Sequence, residues 1–237
     1  MNNIFQFKKF KIDQSDCAMK VNTDGVLLAA LVQSEAPQKI LDIGTGTGLI
    51  ALMLAQRFTN ADIDAVEIDQ NAAKRAEINF IESPFAKRLN SHHLSIEEFF
   101  LTTSNEYDLM ISNPPYFLNS LKSKDEIKEK ARHTTQSFFE NLLDQSSKKL
   151  SPNGYIALIL PIETSTFVEN RIKQIPNLHI NEIIFIHSFE HSVAHRKILK
   201  MSLNSTELTV KNFVIYEAQG IYSFEYQSLL KDFLTIF

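Results

Sequence analysis

Four consecutive residues, Asn113, Pro114, Pro115 and Tyr116, combine an amide side chain, two rings that lack N–H groups and an aromatic face. An amino nitrogen attached to an aromatic ring is a poor nucleophile, because its lone pair is delocalised into the ring. Two fixed acceptors, the Asn113 side-chain oxygen and the Pro114 carbonyl, can take its two N–H groups, localise the lone pair and aim it at an electrophile. That step needs no titratable base. Tyr116, next to Pro115, offers a flat face on which a base can stack, a contact worth about 1–3 kcal/mol in single-stranded nucleic-acid sites. By itself the motif specifies a planar amino or amide nitrogen.

A second group is Asp42-Ile43-Gly44-Thr45-Gly46-Thr47-Gly48, which holds three of the six glycines. Glycines here permit a tight turn and a close approach of backbone to ligand. The G-x-G-x-G spacing is not the G-x-G-x-x-G of pyrophosphate binders. An aspartate beside the loop suits a cationic amino-acid moiety better than an anion. Glu67, with Ile68 after it, ends the next apolar run, where a carboxylate can accept from both hydroxyls of a ribose. Asp69 can cap the helix that follows.

The elements that position these residues follow from apolar periodicity. From about residue 39 to 187, short β-rich runs alternate with helical repeats, the pattern of a parallel sheet covered by helices. Strands are expected at Lys39 to Ile43, Ile63 to Glu67, Asn90 to Leu94, Tyr107 to Ser112 and Tyr155 to Leu160. The fourth must stop at Asn113, because Pro114 and Pro115 cannot donate ladder hydrogen bonds. After Pro161 come a helix, about Thr164 to Gln174, and strand-like segments at His179 to His187, Ile198 to Leu203 and Phe213 to Tyr216. No helix separates the last two, so at least one runs antiparallel. A terminal helix starts near Ser223. The expected fold class is α/β, a Rossmann-like, seven-stranded, mostly parallel sheet with helices on both faces and an antiparallel strand near the C-terminus. Residues 1–237 read as a single domain, with 1–38 an N-terminal extension and helix and 39–237 the sheet and its helices. Pro152-Asn153-Gly154 reads as a turn, and residues 117–135 as a long polar loop.

Composition excludes several classes. The single Cys17 rules out an intramolecular disulfide framework and four-cysteine zinc sites, and fits a reducing compartment, so a cytoplasmic location is expected. No apolar run approaches the roughly 20 residues that span a bilayer, and no membrane partner is expected. The net charge of −4 argues against nonspecific coating of nucleic acid, so such a partner must be argued from local clusters. Cys17 follows Asp16 rather than proline and lies outside the expected sheet, so it does not read as a covalent nucleophile. His187, His191 and His195 have helical spacing but fall between strands, and no metal is expected.

In this order, the glycine loop, Glu67 and NPPY resemble the class I S-adenosylmethionine-dependent methyltransferases that act on amino groups. Phe7-Lys8-Lys9-Phe10, the segment Asp16-Cys17-Ala18-Met19-Lys20-Val21-Asn22-Thr23-Asp24-Gly25, Ala131-Arg132-His133 and Ala194-His195-Arg196-Lys197 are similar to the bacterial N6-methyltransferases that modify the adenine beside the anticodon of tRNA(Val). The resemblance covers nearly the whole chain. It implies that Thr23 and Asp24 border the cofactor and that Gly44, Gly46 and Glu67 bind it, with Asp42, Ile68, Ser95 and Asn113 in the same site. It also implies that residues 113–116 hold the base. Family members tend to have an acid after the third strand, near the cofactor's adenine, where this chain has Ser95. Thr23-Asp24-Gly25 also reads as a helix N-cap.

The tRNA anticodon loop is the expected partner. Lys122, Lys124, Arg132 and His133 in the polar loop, and Arg196, Lys197 and Lys200 later, are candidates for phosphate contact. Two other methylations fit NPPY. Glutamine N5 methylation of a release factor goes with an additional N-terminal helical domain, whereas about 38 residues precede the first strand here. Guanine N2 methylation in ribosomal RNA usually goes with a duplicated domain. Outside enzymes, an RNA-binding module with a vestigial fold remains, and intact Gly44, Gly46, Glu67 and Asn113 speak against it.

Overall fold

The computed structural model describes residues 3–15, 17, 19–114 and 125–237, without the side chains of 125–135. Pro115, Tyr116, Lys122 and Lys124, together with the side chains of Arg132 and His133, therefore lie outside the described residues. The elements run β1 (Ile4–Gln6), β2 (Lys11–Asp13), α1 (Thr23–Leu31), β3 (Lys39–Ile43), α2 (Leu49–Arg57), β4 (Asp62–Glu67), α3 (Gln70–Ile81), β5 (Leu89–His93), α4 (Ile96–Thr102) and β6 (Tyr107–Ser112). They continue with α5 (Asp125–Ser147), β7 (Leu150–Pro161), α6 (Ile162–Ile172), β8 (His179–His187), β9 (Arg196–Ser202), β10 (Thr209–Val214), β11 (Tyr216–Ala218), β12 (Ile221–Tyr222) and α7 (Phe224–Leu230).

The central sheet has the order β10-β8-β9-β7-β6-β3-β4-β5. Strands β3 to β7 pair in parallel, and β9 runs antiparallel to both β7 and β8. Eight strands among the described residues replace the expected seven. Both edges of β9 are occupied, by β7 and β8, and β10 adds at the outer edge of β8, where it pairs in parallel.

Alternation along the strands divides the core in two. Ile40, Leu109, Ile111, Ala157 and Ile159 face α1, α2 and α3. Leu41, Ile43, Met110, Ile156 and Leu158 face α4, α5 and α6. A strand buried on both faces must be apolar throughout, which is why Tyr155 to Leu160 reads as a continuous apolar run.

Two expectations change. Pro152 to Gly154 lies within β7 as an irregularity: Tyr107 pairs with Leu150 and Leu109 with Tyr155, so the ladder shifts register between them. The expected polar loop 117–135 gives way to helix at Asp125, where a Lys-, Glu- and Ala-containing run has good intrinsic helix propensity.

Polar tethers hold the lower part of the sheet. Asp64 on β4 accepts from Tyr107 Oη (2.8 Å), His92 Nε2 (2.9 Å) and Asn90 Nδ2 (3.3 Å). Burial pushes this carboxyl up, but these donors outweigh burial and leave it below its ordinary value. A depressed carboxyl stabilises the fold above its unfolded-state pKa, and that contribution is lost as pH falls through the folded-state value. Tyr107→Phe removes the donor that reaches across β3, and should cost about 1–3 kcal/mol in urea unfolding at neutral pH. The deficit should narrow in acid; an unchanged midpoint at neutral pH would show that the contact contributes nothing.

Candidate active site

The chain runs from β3 to β4 and β5 on one side, then returns to lay β6 on the other side of β3. Connections that leave in opposite directions open a crevice at the carboxyl ends of the strands, where open α/β sheets bind ligands. A cavity of about 540 Å³ lies there, within the range of about 300–1,000 Å³ usual for small-molecule sites. Its walls include Gly44, Gly46, Glu67, Ile68, Ser95, Asn113 and Pro114, so these seven expected residues are brought together.

Local structure explains each placement. Gly44 and Gly46 adopt left-handed backbone, φ 70° and 57°, and a side chain built at either would meet nothing within 4 Å. The bare backbone there faces open cavity. At Gly48 (φ 87°) a Cβ would collide with the Phe80 ring, so this glycine serves the packing of α3. Glu67 accepts from Gly46 N–H (2.8 Å) and Asp69 N–H (2.9 Å), one bond to each oxygen. Each oxygen keeps a second acceptor site. Asp69 caps α3, as its position suggested. Ser112 donates to the Ile43 carbonyl (2.7 Å), which ties the end of β6 to the end of β3 just before Asn113.

Three expected residues are not cavity walls. Asp42 is fully buried beneath the loop, where Oδ2 accepts from Thr45 Oγ1 (2.6 Å) and Ala51 N–H (3.1 Å) while Oδ1 has no hydrogen-bond partner. Thr23 begins α1, but the cap is Asn22, whose Oδ1 accepts from Gly25 N–H at 2.9 Å. Asp24 is held by Arg196 (Nε to Oδ2, 2.7 Å). Asn22 itself approaches the site: Asn113 Nδ2 donates to its Oδ1 at 3.4 Å.

The second basic group is also reassigned. Arg196 is paired with Asp24, and Lys197 is buried against Glu169 (2.7 Å) and the Phe185 ring. Lys200 lies 4.0 Å from the Tyr155 ring centroid and donates to the Gln33 carbonyl. Each of these cations thus has a partner within the fold. His187 bonds Ser192 O and Asn212 Oδ1 through its two ring nitrogens, and the segment after it is not helical, so the histidine spacing aligns nothing.

Other cavity walls went unread in the sequence: Cys17, Met19, Asn71, Glu97 and Phe138. Cys17 and Met19 reach it because Asp13 is anchored to α3 by Arg75 and Asn79, and Asn79 Nδ2 also donates to the Thr47 carbonyl of the glycine loop. Ser95 caps α4 in a reciprocal capping box with Glu98, which occupies its hydroxyl. Glu97, two positions on, lines the cavity instead and supplies an acid near where Ser95 departs from the family pattern. The S/T-x-x-E signature was legible in Ser95-Ile96-Glu97-Glu98 and signals the cap.

Residues 17–175 match the Methyltransferase small domain family. The chain is 44% identical over 237 residues to a tRNA1(Val) (adenine(37)-N6)-methyltransferase from Pedobacter heparinus, covering the whole of both chains. The chain belongs to the tRNA1(Val) (adenine(37)-N6)-methyltransferase family. A relative of the same name from Parabacteroides distasonis is 52% identical over 162 residues, 68% of each chain. A crystal structure of a predicted O-methyltransferase from Agrobacterium tumefaciens has a TM-score of 0.68, covering 89% of this chain and 96% of that one at 19% identity. That likeness speaks for the fold, which is the Rossmann-like class I methyltransferase fold.

S-adenosylmethionine is the cofactor of this fold and family, and the residues fit it. Gly44 and Gly46 leave backbone open to a ligand, and Glu67 retains acceptor sites for a ribose diol. Asp42 lies buried beneath the loop with one oxygen unpartnered, so a cationic group above the loop would favour its ionised form. Glu67→Ala should weaken cofactor binding by about 10- to 100-fold, the loss of charge-assisted hydrogen bonds, in calorimetry with S-adenosylmethionine. Affinity within twofold would remove Glu67 from the ribose site.

Burial raises the Asp42 carboxyl to about 7, against hydrogen bonds from Thr45 and Ala51 that lower it and a further rise from the Glu67 charge. The folded chain then holds a proton that the unfolded chain releases near 3.8. The stability this group contributes is full at acid pH and lost as pH rises through about 7. Asp42→Asn should therefore flatten the fall in urea midpoint of the ligand-free protein between pH 5 and 8. Parallel pH profiles for the two proteins would show that Asp42 stays ionised in the fold.

Proposed function

We propose that this chain transfers a methyl group from S-adenosylmethionine to N6 of adenine 37 in tRNA1(Val), the activity its full-length relatives are named for. The observation that carries the chemistry is the placement of Asn113 and Pro114 at the carboxyl end of β6, on the wall of the same cavity as Gly44, Gly46 and Glu67. S-adenosylmethionine, when bound, supplies an electrophilic methyl group.

The chain's own residues supply the rest. Asn113 Oδ1 and the Pro114 carbonyl accept the two N–H groups of adenine N6, which raises electron density on that nitrogen and fixes its line of attack. The new bond is N6–CH3, the bond broken is S–CH3, and N6 afterwards gives up one proton to solvent. The adenine must leave the anticodon-loop stack to enter the crevice, and Tyr116 is assigned the stacking face that receives it. Lys122, Lys124, Arg132 and His133 follow the motif directly in sequence and are assigned to contacts with the tRNA backbone or loop. Arg196 and Lys197 are paired within the fold, with Asp24 and Glu169, and no such contact is assigned to them. A tRNA substrate and the lone Cys17 suit work in the cytoplasm.

Incubation of tRNA from a strain lacking the gene with labelled cofactor, followed by nucleoside analysis, tests this reading. The expected product is N6-methyladenosine confined to one tRNA, and Asn113→Ala should lower kcat at least ~100-fold, comparable to deleting an electrostatic donor or acceptor at a reacting centre, with cofactor affinity nearly unchanged. Label in protein rather than RNA, or wild-type turnover by Asn113→Ala, would overturn it.

A further inference from the structure

The Asn113 amide can occupy its site in two orientations, related by a half-turn. One presents Oδ1 to the incoming amino group. The other presents Nδ2, a donor facing donors, and is unproductive. An acceptor held on the far side of the amide would select the first.

The N-cap of α1 carries such an acceptor. Gly25 N–H can only donate, so the Asn22 atom it meets at 2.9 Å must be oxygen. Asn22 Nδ2 donates to the Lys20 carbonyl at 3.1 Å, which sets the same orientation from the other end of the side chain. The oxygen so identified is the atom that faces Asn113 at 3.4 Å, and an oxygen there demands the NH2 of the Asn113 amide. The separation is long for a hydrogen bond, as contacts in ligand-free sites often are before substrate tightens them.

We infer that Asn22 is a positioning residue for methyl transfer: its cap oxygen turns the Asn113 amide so that Oδ1, rather than Nδ2, is presented to the substrate nitrogen. This rests on the assignment of Asn113 as the acceptor and extends it to a residue 91 positions earlier. The cap is well placed to hold a fixed direction. Asp24, two residues on, is tied to Arg196 at the start of β9, and Val21 N–H donates to Gln14 Oε1 at 2.8 Å. Gly25 lets the helix start abut α2, since a Cβ there would lie 3.0 Å from the Leu49 side chain.

Two substitutions separate positioning from folding. Asn22→Ser keeps an N-cap of comparable strength, because a serine hydroxyl also accepts from the first turn of a helix, but it is too short to reach Asn113. Asn22→Asp keeps both the cap and the acceptor. Each is assayed for kcat at saturating tRNA and S-adenosylmethionine, cofactor affinity by calorimetry, and thermal unfolding, alone and with Asn113→Ala.

Asn22→Ser should lose roughly 10- to 100-fold in kcat, the scale of misorienting one group at a reacting centre, with cofactor affinity and Tm close to wild type. Asn22→Asp should recover most of the turnover. In the Asn113→Ala background Asn22→Ser should cost nothing further, as expected for residues that act as one unit. Wild-type kcat for Asn22→Ser, a loss that tracks Tm, or Asn22→Asp as impaired as Asn22→Ser would each overturn the inference. If Asn113→Ala itself turns over normally, the assignment of Asn113 fails instead, and the positioning role falls with it.

Discussion

Everything at the site depends on β3 lying between β4 and β6 in parallel register. Because the chain steps from β3 to β4 and β5 on one side and then returns to lay β6 on the other, a crevice opens at the carboxyl end of β3, with the ends of its neighbours beside it. Ile43 pairs with Ser112 on one side and Val66 on the other, so the glycine loop, the residue before Glu67 and the residue before Asn113 arrive at one place. The hydrogen bond from Ser112 to the Ile43 carbonyl locks the β3 and β6 ends together. Both faces of these strands are sealed by apolar packing, so the edge is the route by which a polar ligand can reach them.

Electrostatics at this edge is acidic by construction. Asp42 is buried with one oxygen unpartnered, and Glu67 stands beside the cavity with its oxygens held by backbone N–H groups. Burial pushes the Asp42 carboxyl up, and the Glu67 charge adds a smaller rise.

Cationic residues that look alike in sequence can have partners that only the fold reveals. Arg196 and Lys197 sit in a basic cluster that follows a histidine-rich loop, an arrangement that invites assignment to phosphate. In the fold, consecutive strand residues point to opposite faces of the sheet. Arg196 meets Asp24 at the start of α1 and Lys197 meets Glu169 on α6, each the complement of a carboxylate far away in sequence. A buried or half-buried cation needs such a partner, and no local pattern names the partner.

The alternation of apolar residues, the two prolines after β6 and the Gly-rich turn after β3 are local features, and they were enough to indicate the parallel sheet, the carboxyl ends of β3, β4 and β6, and the residues of the glycine loop, Glu67 and NPPY. Periodicity and turn chemistry act over a few residues, so they are readable one segment at a time. What needed the tertiary structure was every relation across long stretches of chain. The insertion of β9 between β7 and β8, and the pairing of β10 along β8, were not written in any one segment. The burial of Asp42 beneath its loop, the capping duty of Ser95, the pairing of Arg196 and Lys197, and the approach of Asn22 to Asn113 likewise depend on which elements become neighbours. Neighbourhood is set by packing of the whole core, a property that no window of sequence contains.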